Sequence, residues 1–258
     1  MTTIAITGAS GRIGTAIRPL LVRPGRTLRL IDVTDPPDLD ESHEEFVNVE
    51  VGDLEGMRRA LEGTRGLVHL AGLASEHPWR EILHTNIDGT YVALESARAA
   101  GVRNVFLASS IHAVGTSTLG EAADSTEPNP RPDTFYGVSK AAMEALGSAF
   151  AARCGMSVVS ARICHFGDDP GQGLDRLIWV SPPDLTRLVE ATLALTEPGA
   201  HVVWGVSRNG APWLRPEAGE AIGFHAVDDA EAGAAGTSEV DESLALGGEF
   251  LDVPLGRA

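Results

Sequence analysis

With 258 residues and 43% apolar side chains, the chain is long enough for one large domain, or a domain with a small cap, and has the material for a full core. A formal charge of −16 argues against nucleic acid or an anionic membrane as partner, because holding phosphates needs a basic face. Two cysteines without metal-ligand spacing (Cys154 and Cys164), no apolar run of membrane-spanning length and a strand directly after Met1 predict a soluble cytoplasmic protein with no metal site.

Thr3 to Thr7 reads as a short buried strand, followed at once by Gly8-Ala9-Ser10-Gly11-Arg12-Ile13-Gly14 and a helix through Ile17, Leu20 and Leu21. Strand, glycine turn and helix in that order form a cradle for a dinucleotide pyrophosphate. Gly8 suits the tight turn, Gly11 lets the backbone approach the phosphates, and Gly14 allows close packing of helix on strand. Thr27 to Val33 reads as the second strand. Asp32, eighteen positions after Gly14, suits an adenosine ribose and would repel a 2′-phosphate, which favours NAD over NADP. Arg12 is a mild contrary sign, since a guanidinium can meet a phosphate.

Phe46 to Val51 reads as a third strand, with Asp53 and Leu54 opening the next helix. Asp53 either caps that helix or lies beside the adenine edge. Gly66 to Leu70 gives a fourth strand running into Ala71-Gly72, a small-residue loop against the cofactor, and His69 within it reads as a core histidine. A long helix is predicted from Pro78 to Ala100, stopped by Gly101. Asn86 on it is either a buried polar link to the active site or a simple hydrogen-bonding side chain. Asn104 to Ala108 gives the fifth strand, ending in Ser109-Ser110-Ile111-His112.

Thr134 to Cys154 reads as another long helix, carrying Tyr136 and Lys140 in its first turns. Lys140 is the only lysine in the chain, and four residues on a helix put it on the same face as Tyr136. A phenol has an ordinary pKa of ~10 and must come down to about 7, a change of roughly 4 kcal/mol, to act as a base at neutral pH. A nearby ammonium is expected to bring it there. The alanines on this helix let another helix come close, so a helix-paired homo-oligomer is expected. Ser157 to Ile163 is a sixth strand; later come a loop or short helix over Gly171 to Val180, a helix over Asp184 to Leu195 and a strand over His201 to Val206. Asp228 to Gly248 reads as loop, and Phe250, Leu251, Val253 and Leu255 as a segment that docks on this subunit or a neighbour. Strands alternating with helices predict an α/β fold, a doubly wound parallel sheet with ligands at the strand carboxyl ends. Residues 1–165 form the dinucleotide-binding portion and 166–258 a small substrate-binding portion with a tail, in one continuous domain.

Thr7-Gly8-x-x-Gly11-x-x-Gly14, Asp32, Asp53, the serine after the fifth strand and Tyr136-x-x-x-Lys140 resemble an extended short-chain dehydrogenase/reductase of the NAD-dependent epimerase/dehydratase family, with a Rossmann-type sheet. Val68-His69-Leu70-Ala71-Gly72, Ala108-Ser109-Ser110 with His112, Arg131-Pro132-Asp133, Tyr136-Gly137-Val138-Ser139-Lys140, Trp179-Val180-Ser181, Val202-Val203-Trp204-Gly205 and Gly247-Gly248-Glu249-Phe250 are similar to uronate dehydrogenases. The resemblance implies oxidation of a sugar-acid or related polyol hydroxyl, at C1 to a lactone, with hydride passing to NAD. It implies NAD contacts at Gly8, Ser10, Gly11, Arg12, Ile13, Asp32, Asp53, Leu54, Leu70, Ala71, Gly72, Asn86, Tyr136, Lys140 and Ile163. Ser110, Tyr136 and Lys140 are the implied catalytic set, and Ser75, Ser110, His112, Tyr136, His165 and Arg176 the implied substrate contacts.

Four positions depart from the uronate dehydrogenase pattern. Ile111 stands for asparagine, Ala74 for a serine with Ser75 next door, His165 for a serine, and Arg176 lies closer to Trp179 than the family arginine does. A sugar-nucleotide epimerase using the same Tyr/Lys pair is one rival, though only about ninety-five residues follow the sixth strand. A non-catalytic NAD-binding redox sensor is the other, and it has no need of the serine, tyrosine and lysine together.

Overall fold

Alternation along the strands decides how this chain layers. The structure, a computed structural model, describes residues 2–125, 127–209, 214–230 and 241–257. In β1 (Thr2–Thr7), Ile4 and Ile6 join one apolar cluster and Ala5 another, because successive side chains leave a strand on opposite faces. α1 (Arg12–Leu21) follows the glycine turn, and β2 (Arg26–Asp32) repeats the split, with Leu28 and Leu30 on one face and Ile31 on the other. Strands apolar on both faces need helices on both sides.

The third strand, β3 (Glu44–Asn48), begins and ends earlier than the sequence predicts. α2 (Leu54–Leu61) leads to β4 (Thr64–His69). The helix expected over Pro78–Ala100 is divided into α3 (Trp79–Ile82), a π-helical turn over Leu83–Asp88 and α4 (Gly89–Ala99). β5 (Asn104–Ser110) runs on into a 3₁₀ turn at Ile111–Val114, and α5 (Leu119–Ala123) follows, closed by a Thr118/Glu121 capping box. α6 (Phe135–Cys154) and β6 (Ser157–Ile163) lie where the pattern puts them. Then come β7 (His165–Phe166), α7 (Leu174–Leu177), β8 (Trp179–Val180), α8 (Pro182–Ala194), β9 (Gly199–Gly205) and α9 (Glu217–Glu220). Of the loop expected over Asp228–Gly248, residues 231–240 lie outside the described residues.

The main sheet has the order β3-β2-β1-β4-β5-β6-β9 with every neighbouring pair parallel, and β7 pairs with β8 beside it. Strand order reverses between β1 and β4, which opens a crevice at the carboxyl ends. Gly8, Asp32, Leu70, Ser110 and Ile163 all sit at that edge. One face packs on α1 and α8 through Ile17, Leu21, Leu185 and Leu188; the other packs on α2, α4 and α6 through Met57, Leu94 and Met143. A third cluster, including Ile111, Leu119, Ile178, Trp204 and Leu246, underlies the far end of the crevice. Among the described residues no helix is long and apolar enough to cross a membrane, and no cluster of His, Cys, Asp and Glu is built to hold a metal ion.

His69 is fully buried in β4, with Nδ1 2.8 Å from Thr7 Oγ1 and Nε2 3.4 Å from Thr90 Oγ1. Burial, helped by the charge of Lys140, pushes its pKa down to about 3. The unfolded chain therefore binds more protons than the native one between about 3 and 6.5, and stability should fall as pH drops through that window. Urea midpoints at pH 7 and pH 4.5 should show this fall, and His69→Gln should flatten it. An equally steep fall in the variant would assign the acid sensitivity to other groups.

Candidate active site

The glycine turn is built for close approach. Gly8 has φ +65°, and a Cβ there would stand 2.6 Å from the Ala71 backbone nitrogen. A Cβ at Gly14 would stand 2.5 Å from the Ala9 carbonyl oxygen. No side chain caps α1 and no acid occupies its first turn, so its amino end faces the crevice as an anion site. This fits a pyrophosphate, and the space continues on both sides. A cavity of about 640 Å³ runs past Arg12, Ile13, Ser110, Tyr136, Lys140 and Ile163, and an adjoining one of about 470 Å³ past Ser10, Asp32, Ala71 and Gly72.

Asp32 is held rigidly at the second cavity. Oδ2 accepts from Ser10 N at 2.9 Å, and Oδ1 accepts from Val33 N at 2.8 Å and Thr34 N at 3.1 Å. Ser10 Oγ donates to the Thr34 carbonyl at 2.7 Å, tying turn and strand end together. Arg12 lines the larger cavity instead; its guanidinium donates to the Phe166 carbonyl and lies 5.8 Å from that ring's centre. Asp53 and Leu54 are not on either wall. Asp53 is exposed and engaged as the cap of α2, accepting from Gly56 N at 3.0 Å, and Val49, Glu50, Val51 and Met57 form the wall there.

Asn86 stands behind the wall, in the π-helical turn, and is buried. Its Oδ1 accepts from Leu73 N at 2.8 Å, while Nδ2 donates to the Leu73 carbonyl at 3.0 Å and to Ser139 Oγ at 2.9 Å. Ser139 Oγ donates in turn to the Tyr136 carbonyl at 2.6 Å. The loop after β4, which carries Leu70, Ala71 and Gly72, is thereby fixed to α6. The side chain that makes this link is carried on a π turn, the kind of local widening of a helix that recurs at functional sites.

α6 starts under two caps. Thr134 Oγ1 accepts from Gly137 N at 3.0 Å, and the buried carboxylate of Glu76 accepts from Tyr136 N at 2.9 Å. That phase brings Tyr136 and Lys140 against the end of β5. Lys140 Nζ donates to the Ala108 carbonyl at 2.7 Å and lies 5.3 Å from the centre of the Tyr136 ring. Burial pushes the Lys140 pKa down to about 8. Tyr136 is pushed up to about 12 by burial, with the Asp133 charge adding to the rise and a hydrogen bond with Ser110 opposing it. The lysine charge thus does not bring the phenol down as the spacing predicts. The ammonium is turned to a carbonyl, and the dry site disfavours both charged forms.

At the far end, His112 lines the cavity between Tyr136, edge-on with ring centres 5.6 Å apart, and Phe250, stacked at 3.9 Å. His165 lies there too, 3.6 Å from Asp175. Two expected substrate contacts lie off the wall. Ser75 is exposed and Ala74 lines the cavity in its place. Arg176 donates to the Ala230 carbonyl while Asp175 faces the cavity, because neighbours on a single helical turn point about 100° apart. Gln172, Glu249 and Phe250 complete the wall without having been predicted as contacts; they come from a loop and the C-terminal segment, where no periodicity marks them.

The NAD dependent epimerase/dehydratase family matches over residues 4–176. The chain is 36% identical over 210 residues to uronate dehydrogenase of Pseudomonas syringae pv. tomato, covering 81% of this chain and 76% of that protein. It is 33% identical over 263 residues to uronate dehydrogenase of Agrobacterium fabrum, covering 99% and 98%. A crystal structure of a mutant uronate dehydrogenase from Agrobacterium tumefaciens complexed with NAD superposes with TM-score 0.87 at 32% identity, covering 98% of each chain. An uncapped helix behind a glycine turn, an acid fixed at the end of β2 and a Tyr/Lys pair beside Ser110 accompany this match: the chain belongs to the NAD dependent epimerase/dehydratase family.

Proposed function

We propose that this protein oxidises a hydroxyl of a uronic acid, with NAD as hydride acceptor. The observation that carries this reading is the convergence of Ser110, Tyr136 and Lys140 on the cavity that continues from the glycine turn. The turn residues from Gly8 to Ile13, with Leu70, Ala71, Gly72 and Ile163, would hold NAD, Asp32 taking the ribose. NAD supplies the hydride acceptor and, when oxidised, a positive charge on its nicotinamide ring. Ser110 would hold the substrate oxygen by a hydrogen bond, and the Tyr136 oxygen, once its own proton has been lost to solvent beside the positive charge of Lys140 and the nicotinamide, would take the substrate proton as a phenolate. Lys140 fixes the ring's surroundings through the Ala108 carbonyl and adds positive charge. His112 and His165 meet substrate hydroxyls.

Asp32→Ala should raise the NAD concentration needed for half-maximal rate and narrow the margin over NADP. Unchanged preference would move the cofactor assignment to another acid, with Glu50 on the same wall the first to test.

A neutral aldose is the second reading of the substrate. Asp175 and Glu249 stand on the wall and repel a carboxylate, and Ile111 offers it no hydrogen bond. NADH formation across uronic acids, aldoses and small polyols decides between them. Absence of net NADH from every free sugar would favour the epimerase alternative. The partly exposed Tyr91 on α4, packed edge-on against Phe150 on α6 at 6.4 Å, supports a helix-paired dimer; light scattering tests that.

A further inference from the structure

Asp133 has entered so far only through its charge near Tyr136, yet its setting is elaborate. Its side chain is fully buried at the entry to α6. Oδ2 lies 2.6 Å from His112 Nδ1, and Oδ1 accepts from Thr134 Oγ1 at 2.8 Å. Three glycines form a chamber around the carboxylate. A Cβ at Gly115 would fall 1.9 Å from Oδ2, one at Gly247 2.3 Å from it, and one at Gly137 2.8 Å from Oδ1. These glycines come from the end of the 3₁₀ turn, the C-terminal segment and the first turn of α6. Gly247 N donates to the Gly115 carbonyl at 2.8 Å, closing the chamber. Burying a carboxylate is costly without a partner, and the imidazole and the Thr134 hydroxyl are the partners here.

The imidazole is held on its other sides by Phe250 and Tyr136. Its edge lines the catalytic cavity. An ionised carboxylate only accepts, so Nδ1 must carry the hydrogen, and in the neutral ring Nε2 is then an acceptor. We propose that Asp133 is a positioning residue: by holding the Nδ1–H of His112 it keeps the ring in the tautomer whose Nε2 accepts a hydrogen bond from a substrate hydroxyl beside Tyr136. This rests on the reading of His112 as a substrate contact given above. The site would then select for a hydroxyl that donates at that point, and a deoxy or keto analogue there loses the bond.

The test uses the full chain and the variants Asp133→Asn, Asp133→Ala, His112→Ala and the double alanine variant. Thermal melts and NAD binding establish that each is folded. Asp133→Ala should lower kcat/KM for the sugar by about ten- to a hundredfold, the scale of a hydrogen bond to a charged group. The double variant should be no worse than His112→Ala to within about twofold, because both lesions remove one function. In ¹⁵N-histidine NMR spectra, assigned by the signal lost in His112→Ala, His112 should carry its proton on Nδ1 in the parent and on Nε2 in Asp133→Ala. Asp133→Asn keeps the shape of the chamber, and a loss there marks the charge. Additive losses, an unmoved tautomer, or parental kcat/KM in a folded Asp133→Ala protein would each overturn the proposal. A parent that oxidises no sugar overturns the functional reading instead, and the tautomer comparison still decides the role of Asp133.

Discussion

Tyr136→Phe should bind NAD normally and lose at least about a hundredfold in turnover, a rise of about 2.7 kcal/mol in the barrier. The variant keeps the ring, so the edge-on contact with His112 and the packing beside Lys140 persist, and only the hydroxyl is removed. Burial pushes that hydroxyl up to about 12 in the protein alone, which means it rests as a neutral phenol and loses its proton only when positive charge is brought close. Oxidation should therefore rise with pH in the parent, and that rise should vanish in the variant along with the rate. Steady-state turnover from pH 6 to 10, with NAD affinity measured by fluorescence, separates the two effects. Near-parental turnover would remove the tyrosine from the chemistry.

The second large effect is on stability. Glu144, one helical turn beyond Lys140 on α6, accepts from Arg162 Nε at 2.9 Å, Arg162 Nη2 at 2.8 Å and Ser109 Oγ at 2.6 Å. Arg162 is 2% exposed; it also donates to the Pro128 carbonyl at 2.9 Å and lies 5.6 Å from the centre of the Trp204 ring. Glu144→Ala leaves a guanidinium buried without its counter-charge, which costs about 3–5 kcal/mol. The melting temperature should fall by roughly ten degrees. Replacing both charged groups, as in Glu144→Met with Arg162→Met, should recover most of the loss, because the apolar pair needs no compensation. Differential scanning calorimetry reads both. A mild effect from Glu144→Ala alone would mean that water reaches the guanidinium in the variant. Since Ser109 precedes Ser110, the single variant should also lose activity beyond its loss of folded protein.

Local signals carried most of the fold. Strand, glycine turn and helix lie within the first twenty-one residues, and the Tyr136/Lys140 register needs only the pitch of α6. What stayed hidden depends on contacts between distant segments. The π turn at Leu83–Asp88 is invisible to a periodicity argument, so Asn86 read only as one of two possibilities. Asp175 and Arg176 are adjacent, and nothing local decides which of the two an isolated turn offers to the cavity. Asp133 stood in view in Arg131-Pro132-Asp133, but its chamber is assembled from glycines more than a hundred positions apart. Tyr136 shows the limit for electrostatics: sequence spacing reveals a neighbouring cation, whereas desolvation, the largest cause of the shift here, depends on the whole fold.

Glu76 uses one carboxylate oxygen for the backbone of Tyr136 and the other, at 2.7 Å, for Gly256 N. A displacement of Gly256 is thus delivered to the first turn of α6. A linker attached near Gly256 would strain that link, so a biosensor or packed-bed reactor should hold the protein by a surface away from this segment.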